Sequence, residues 1–152
     1  MKTKILGVGN EMMGDDRAGL YAAHLLSNHN LPPNTVVECT SSIGLNLLDL
    51  LEDCQRAFII DSMVDSSLSP GTVMRFTASE LDNRQKNQYL HHNLGLADTL
   101  AFGAQNGLEM PPEIIIYAIC AQDISTFGEE LSPLVEKGAK KAVLLILQEI
   151  TA

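Results

Sequence analysis

Three stretches of the chain bring together side chains able to do chemistry. Asp15 and Asp16 close the run "GVGNEMMGDD" at residues 7–16. Asp61 ends the apolar run "RAFIID", and His91 and His92 stand side by side in "HHN". Carboxylates and imidazoles are donors for a divalent cation, and either can act as a general base or acid. Two carboxylates with one imidazole would leave coordination positions open. Mixed oxygen and nitrogen donors suit nickel, zinc, iron or manganese rather than a closed structural zinc site. Adjacent histidines point in different directions, so at most one of His91 and His92 would face a shared crevice.

The first run also invites a phosphate-binding reading, which its residues oppose. A dinucleotide loop needs G-x-G-x-x-G, whose third glycine packs a helix on a strand. Gly7 and Gly9 fit that pattern, but Met12 holds the third position. Two aspartates would also repel a pyrophosphate at the helix start, and no G-K-S/T follows for a Walker loop. The bland reading of the aspartates is a helix N-cap, favoured by free first-turn amides and the helix dipole. One cap suffices for one helix, so Asp15 is read as the more structural and Asp16 as the more functional. A Ser elbow G-x-S-x-G, an H-E-x-x-H motif and a catalytic-cysteine context are all missing from the sequence. His24 and His29 need only surface roles.

Elements must carry these residues to one place, and their pattern is alternating. Short apolar strands are expected at "KTKILGVG", "NTVVEC", "RAFIID" and "EIIIYAIC", the last being the most hydrophobic and central. "PGTVMRFTAS" starts at a Pro-Gly turn and alternates, with Met74 and Phe76 on one side and Arg75 and Thr77 on the other. That is an edge strand covered on one face. Helices are expected over "DRAGLYAAHLLSNH", over "IGLNLLDLLED" with Ile43, Leu47, Leu50 and Leu51 on one face, and from about His92 to Gln105. A last helix begins at Ser132-Pro133 as cap and first position, burying Val135, Ala139, Ala142, Val143, Ile146 and Ile150. Strands alternating with helices give an α/β sandwich on a mostly parallel sheet. Ligands then bind beyond the carboxyl ends of the strands, which draws attention to the 9–16 loop, Asp61 and Gln122-Asp123.

Bulk properties narrow the partners. The chain has 152 residues, 45% hydrophobic and 19% charged, which fits one domain over 1–152. A net charge of −9 argues against nucleic acid and against an anionic membrane, and is compatible with a metal ion, a cationic ligand or a basic peptide. The longest apolar run, "AVLLIL", is too short to span a membrane, and no signal peptide is evident, so a cytoplasmic, soluble protein is expected. Cys39, Cys54 and Cys120 are dispersed and odd in number, which predicts reduced, at least partly buried thiols.

The motifs taken together resemble a known family. "GVGNEMMGDD" is similar to the G-x-G-N-x4-D-(D/E) signature of the hydrogenase maturation endopeptidases, "FIIDSM" to their third strand, and "HHNLGL" to their H-x-x-G-L segment. Gly95 and Leu96 follow in register with His92, which selects it over His91. The resemblance covers essentially the whole chain. It implies a three-layer α/β/α sandwich with a five-stranded mixed sheet of order 2-1-3-5-4, strand 4 antiparallel. It further implies a nickel-dependent, aspartate-type endopeptidase that removes the C-terminal extension of a [NiFe]-hydrogenase large-subunit precursor after nickel insertion. Asp16, Asp61 and His92 match the family's nickel-binding positions and are the implied catalytic set, with nickel supplied by the precursor. A rival reading is a metal-binding maturation chaperone that does not cleave. One departure stands out: the family continues D-(D/E)-G-x-G, whereas this chain has "DDRAG". Arg17 therefore either pairs with a crevice carboxylate or points to solvent.

Overall fold

A computed structural model describes residues 1–41, 43–81 and 94–152. The strands are β1 (Thr3–Val8), β2 (Thr35–Thr40), β3 (Arg56–Met63), β4 (Val73–Thr77) and β5 (Glu113–Cys120). The helices are α1 (Ala18–Ser27), α2 (Leu45–Leu51), α3 (Leu94–Gln105) and α4 (Pro133–Ile150), and a 3-10 turn, Gly14–Arg17, precedes α1. His92 and its neighbour His91 lie outside the described residues. Among the described residues, no helix is long and apolar enough to cross a membrane.

The five strands form one sheet of order β2-β1-β3-β5-β4. All neighbours are parallel except β4, which runs antiparallel to β5 at the edge. The expected order and the antiparallel edge strand are therefore what the chain adopts. Consecutive strand residues enter opposite cores, because side chains alternate across a pleated sheet. Ile5, Phe58, Ile60 and Ile115 pack with α1 and α4 on one face. Leu6, Ile59, Ile116 and Phe76 pack with α2 and α3 on the other. A strand buried on both faces needs no polar alternation, which explains the unbroken apolar runs of β1, β3 and β5.

The last helix follows its pattern closely: all six residues expected inside, Val135 through Ile150, are buried, and Pro133 occupies the first turn after Ser132. Two boundaries differ from expectation in ways that matter for function. The first helix does not start at Asp16; the chain makes the 3-10 turn first and enters α1 only at Ala18. And β3 does not end at Asp61 but runs on to Met63. Polarity misplaced that boundary, since pairing with β5 continues from Asp61↔Ala118 to Met63↔Cys120.

The β1–β3 pairing stops earlier, at Gly7↔Ile60. From Asp61 onward β3 has therefore lost β1 on one side while keeping β5 on the other. Because β1 connects outward to β2 and β3 lies on its other flank, this is the sheet's topological switch point. Gly19 lets α1 close over it: a Cβ there would meet the Ile60 carbonyl oxygen at 2.2 Å and that of Val8 at 2.5 Å. The helix-packing glycine absent from the failed dinucleotide pattern is thus present, further along the chain.

Candidate active site

The 9–16 loop delivers Asp16 by folding back on itself. At Gly9 a Cβ would lie 2.1 Å from the Asp16 carbonyl oxygen, so only glycine permits the approach. The Asn10 amide donates to that same oxygen at 3.3 Å, and the Asp16 amide donates to the Met13 carbonyl at 3.0 Å. The Asn10 side chain accepts from the Met12 amide at 2.9 Å, making a local turn of the kind asparagine favours.

Asp15 and Asp16 then diverge. Asp15 is 1% exposed. Its Oδ2 accepts from the amides of Gln122 and Asp123 at 2.9 and 2.8 Å and from the Ser132 hydroxyl at 2.8 Å. Its Oδ1 accepts from the Ser132 amide at 2.7 Å. The N-cap expectation is corrected here: the residue before α1 is Arg17, with no side-chain cap bond. The 3-10 turn aims Asp15 at the β5–α4 connection instead, so it binds another segment's amides rather than those of its own helix. Its structural role stands by a different route. Gln122 and Asp123, flagged for their place after β5, serve this anchoring through their backbones. The Asp123 carboxylate accepts from the Thr126 hydroxyl and from the amides of Ser125 and Thr126, which pull it down to about 2.

Asp61 is 3% exposed and Ser62 fully buried. The Ser62 amide donates to Asp61 Oδ1 at 2.8 Å, and its hydroxyl donates to Asp16 Oδ1 at 2.8 Å. One serine thus holds an oxygen of each aspartate. By strand alternation Asp61 shares its face with Ile59 and Met63, and Ser62 shares the opposite face with Ile60. Asp16 reaches the open end of β1 from the α1 side, where the Ser62 side chain meets it, and Asp61 belongs to the face of α2 and α3. Helix α3, on that latter side, begins two residues after His92. Among the described residues no group of three or more His, Cys, Asp and Glu side chains is placed to hold a metal ion; the third expected donor, His92, is not among them.

Ser62 is the site residue that sequence reasoning missed. Its only signal was its place directly after Asp61 in "IIDSM", and a serine there reads as an ordinary strand end. Other candidates separate cleanly. Arg17 places its guanidinium 5.8 Å from the centre of the Tyr21 ring and forms no ion pair among the described residues, so it does not pair with a crevice carboxylate. His24 and His29 are exposed. Cys54 and Cys120 are buried as expected, whereas Cys39 is exposed on the edge strand β2, which has a neighbour on one side only. Burial pushes the Cys120 thiol up, the opposite of what a thiolate nucleophile requires.

Similarity to known proteins converges on one activity. A family profile described as hydrogenase maturation protease matches residues 20–149. The hydrogenase 2 maturation protease of Escherichia coli is 28% identical, covering 98% of this chain and 92% of that protein. The solved structure of the hydrogenase maturating endopeptidase HybD from E. coli superposes with a TM-score of 0.83 at 26% identity, over 99% of this chain and 93% of that one. The [NiFe] hydrogenase maturation protease HybD from Thermococcus kodakarensis has a TM-score of 0.77 at 30% identity, over 99% of both chains.

Proposed function

The chain belongs to the hydrogenase maturation protease family, and on that premise we propose that it removes the C-terminal extension of a [NiFe]-hydrogenase large-subunit precursor once nickel is in place. Asp16, Asp61 and His92 are the proposed site residues, both as ligands to nickel presented by the precursor and as the catalytic set. The observation that carries this reading is the Ser62 bridge between two aspartates at the switch point of the sheet.

The donor chemistry fits a shared metal. Aspartate oxygens are hard donors, and a precursor's cysteine thiolates are soft ones, so nickel held by both would be bound fully only when enzyme and loaded precursor meet. Ser62 keeps Asp16 and Asp61 oriented as acceptors by donating one hydrogen bond to each. A carboxylate so placed can orient or deprotonate the water that attacks the scissile carbonyl. The metal supplies recognition: a precursor without nickel offers the aspartates no cation to bind.

Mass spectrometry of a nickel-loaded precursor, with and without this protein, tests the reading. The expected result is loss of the C-terminal peptide only with nickel present, and no loss with Asp16→Ala. Cleavage of nickel-free precursor at an undiminished rate sinks the nickel requirement. Full processing by Asp16→Ala sinks the ligand assignment. Binding without any change in precursor mass points to a non-cleaving chaperone instead.

A further inference from the structure

The connection between β5 and α4 does more than receive Asp15. Its backbone is locked to the 9–17 loop: the Gly14 amide donates to the Gly128 carbonyl at 3.1 Å, and the Gly128 amide donates to the Met12 carbonyl at 2.8 Å. The Asp15 amide adds a bond to the Asp123 carbonyl at 2.8 Å. Between these ties stands Phe127, 73% exposed. An aromatic ring held in water on a fixed loop gives up apolar stabilisation in the free protein. Such preordered aromatics are what binding hot spots use, because little conformational entropy remains to be lost.

Phe127 forms one lip of a cleft of about 430 Å³ between this connection and the 3-10 turn, floored by Gly14 and Asp15 and rimmed by Glu129 and Glu130. Asp15, at the floor of the cleft, is the residue immediately before Asp16, whereas Asp16, Asp61 and Ser62 do not line it. Glu129 and Glu130 are exposed and have no ion pair among the described residues. Arg17 is the only basic residue in the connections 9–17, 64–72 and 121–132, which also carry Glu11, Asp65 and Asp123. Further apolar side chains, Val64 at 42% and Leu134 at 51% exposure, lie on this same edge of the sheet. An apolar lip with unpaired carboxylates selects a segment that is apolar and positively charged, and an aromatic face also attracts a cation.

Resting on the protease reading above, we propose that this cleft is a docking site for a basic segment of the hydrogenase precursor, with Phe127 as its anchor and Glu129 and Glu130 as its charge partners. The site sets affinity and partner choice, not the chemical step. Removing the ring should weaken precursor binding without touching Asp16, Asp61 or Ser62.

The test compares wild type, Phe127→Ala and the double variant Glu129→Gln/Glu130→Gln in two assays on the nickel-loaded precursor: direct binding and cleavage kinetics. Phe127→Ala should weaken binding and raise KM by about 5- to 30-fold, the equivalent of about 1–2 kcal/mol for one truncated interface ring, while kcat holds. Wild-type binding should weaken as salt rises, and the double variant should lose most of that salt dependence. Thermal melting of Phe127→Ala should match wild type, since the exposed ring supports no core. Equal precursor affinity for wild type and Phe127→Ala overturns the proposal, whatever the cleavage result. A wild-type dimer that Phe127→Ala dissociates, with precursor binding unchanged, overturns it in favour of a second copy as the occupant. A wild type that binds but does not shorten the precursor refutes the protease reading instead, and leaves the binding comparison to decide the docking site.

Discussion

Asp15→Ala should unfasten the molecule while Asp16 is left in place. Four hydrogen bonds converge on the Asp15 carboxylate from Gln122, Asp123 and Ser132, residues more than a hundred positions away. A hydrogen bond to a charged group contributes roughly 1.5–3 kcal/mol, towards the lower figure where the donor is only part buried. Water can reach some of the abandoned donors, so the expected loss is about 3–5 kcal/mol rather than the full sum. For a chain of this size, 1 kcal/mol shifts the melting point by about 2–4 °C, which gives a drop of roughly 6–20 °C. Asp15→Asn is the sharper probe. Its amide oxygen can replace Oδ2 and keep three of the bonds, but its NH2 then faces the Ser132 amide, donor against donor, at a cost of about 1–3 kcal/mol. Urea unfolding should show lower midpoints at unchanged slope, in the order wild type, Asn, Ala. An Asp15→Ala protein within about 0.5 kcal/mol of wild type would show that these bonds exchange freely with water, and the anchoring argument would fail.

Three further outcomes follow from the same geometry. Ser62→Ala removes the hydroxyl that orients Asp16 and should lower kcat/KM for the loaded precursor by about tenfold, a loss of ~1.4 kcal/mol in the transition state, with Ser62→Thr restoring part of it. An unchanged rate for Ser62→Ala would remove the bridge from the mechanism. Gly19→Ala gains about 1 kcal/mol of helix propensity but drives a methyl into two backbone carbonyls that cannot swing aside, so overpacking of about 3 kcal/mol should win, measured by urea midpoint. Glu149 is held below its usual range chiefly by the hydrogen bond from Arg75, with one from Tyr117 adding to it. A depressed carboxylate stabilises the fold above its unfolded value of 4.5 and loses that contribution as pH falls through the lower folded value. The stability gap between wild type and Glu149→Gln should therefore close on acidification below pH 4.5, and a gap that is constant with pH would contradict it.

Sheet order and site position were legible to different depths, for physical reasons. The apolar continuity of "FII" and "EIIIYAI" marks strands covered on both faces, and the alternation through Met74 and Phe76 marks the edge; burial alone writes those patterns. The last helix was readable to the residue from its apolar stripe and its proline; Ser132 does precede it, but its hydroxyl donates to Asp15 rather than capping the helix. Boundaries next to the site were not. Asp61 looked terminal because polarity usually ends a buried strand, yet here hydrogen bonding to β5 carries the strand two residues further. The partner of Asp15 was invisible because nothing local distinguishes an aspartate that caps its own helix from one that binds amides far along the chain. Ser62 was invisible for the complementary reason: its role consists entirely in facing two residues, one adjacent and one distant.

The comparison with a phosphate loop shows why two adjacent aspartates can have opposite fates. Both kinds of loop use glycines to turn sharply off a first strand, and both end at a helix start. A phosphate loop leaves its amides open for the ligand, whereas here Asn10, Met13 and Asp16 spend theirs on backbone oxygens within the loop. What the loop presents instead is carboxylate. Asp15 is wholly occupied by the β5–α4 connection, and that occupation stiffens the turn from which Asp16 projects. Asp16 is held through one oxygen by Ser62, which also holds Asp61. Bringing two carboxylates together costs electrostatic energy that a cation would relieve, and hydrogen-bond donors relieve part of it in the free protein. Ser62 is that donor for both. One oxygen of each aspartate is thereby oriented in the free protein, which is the preorganisation that the proposed shared metal site would require.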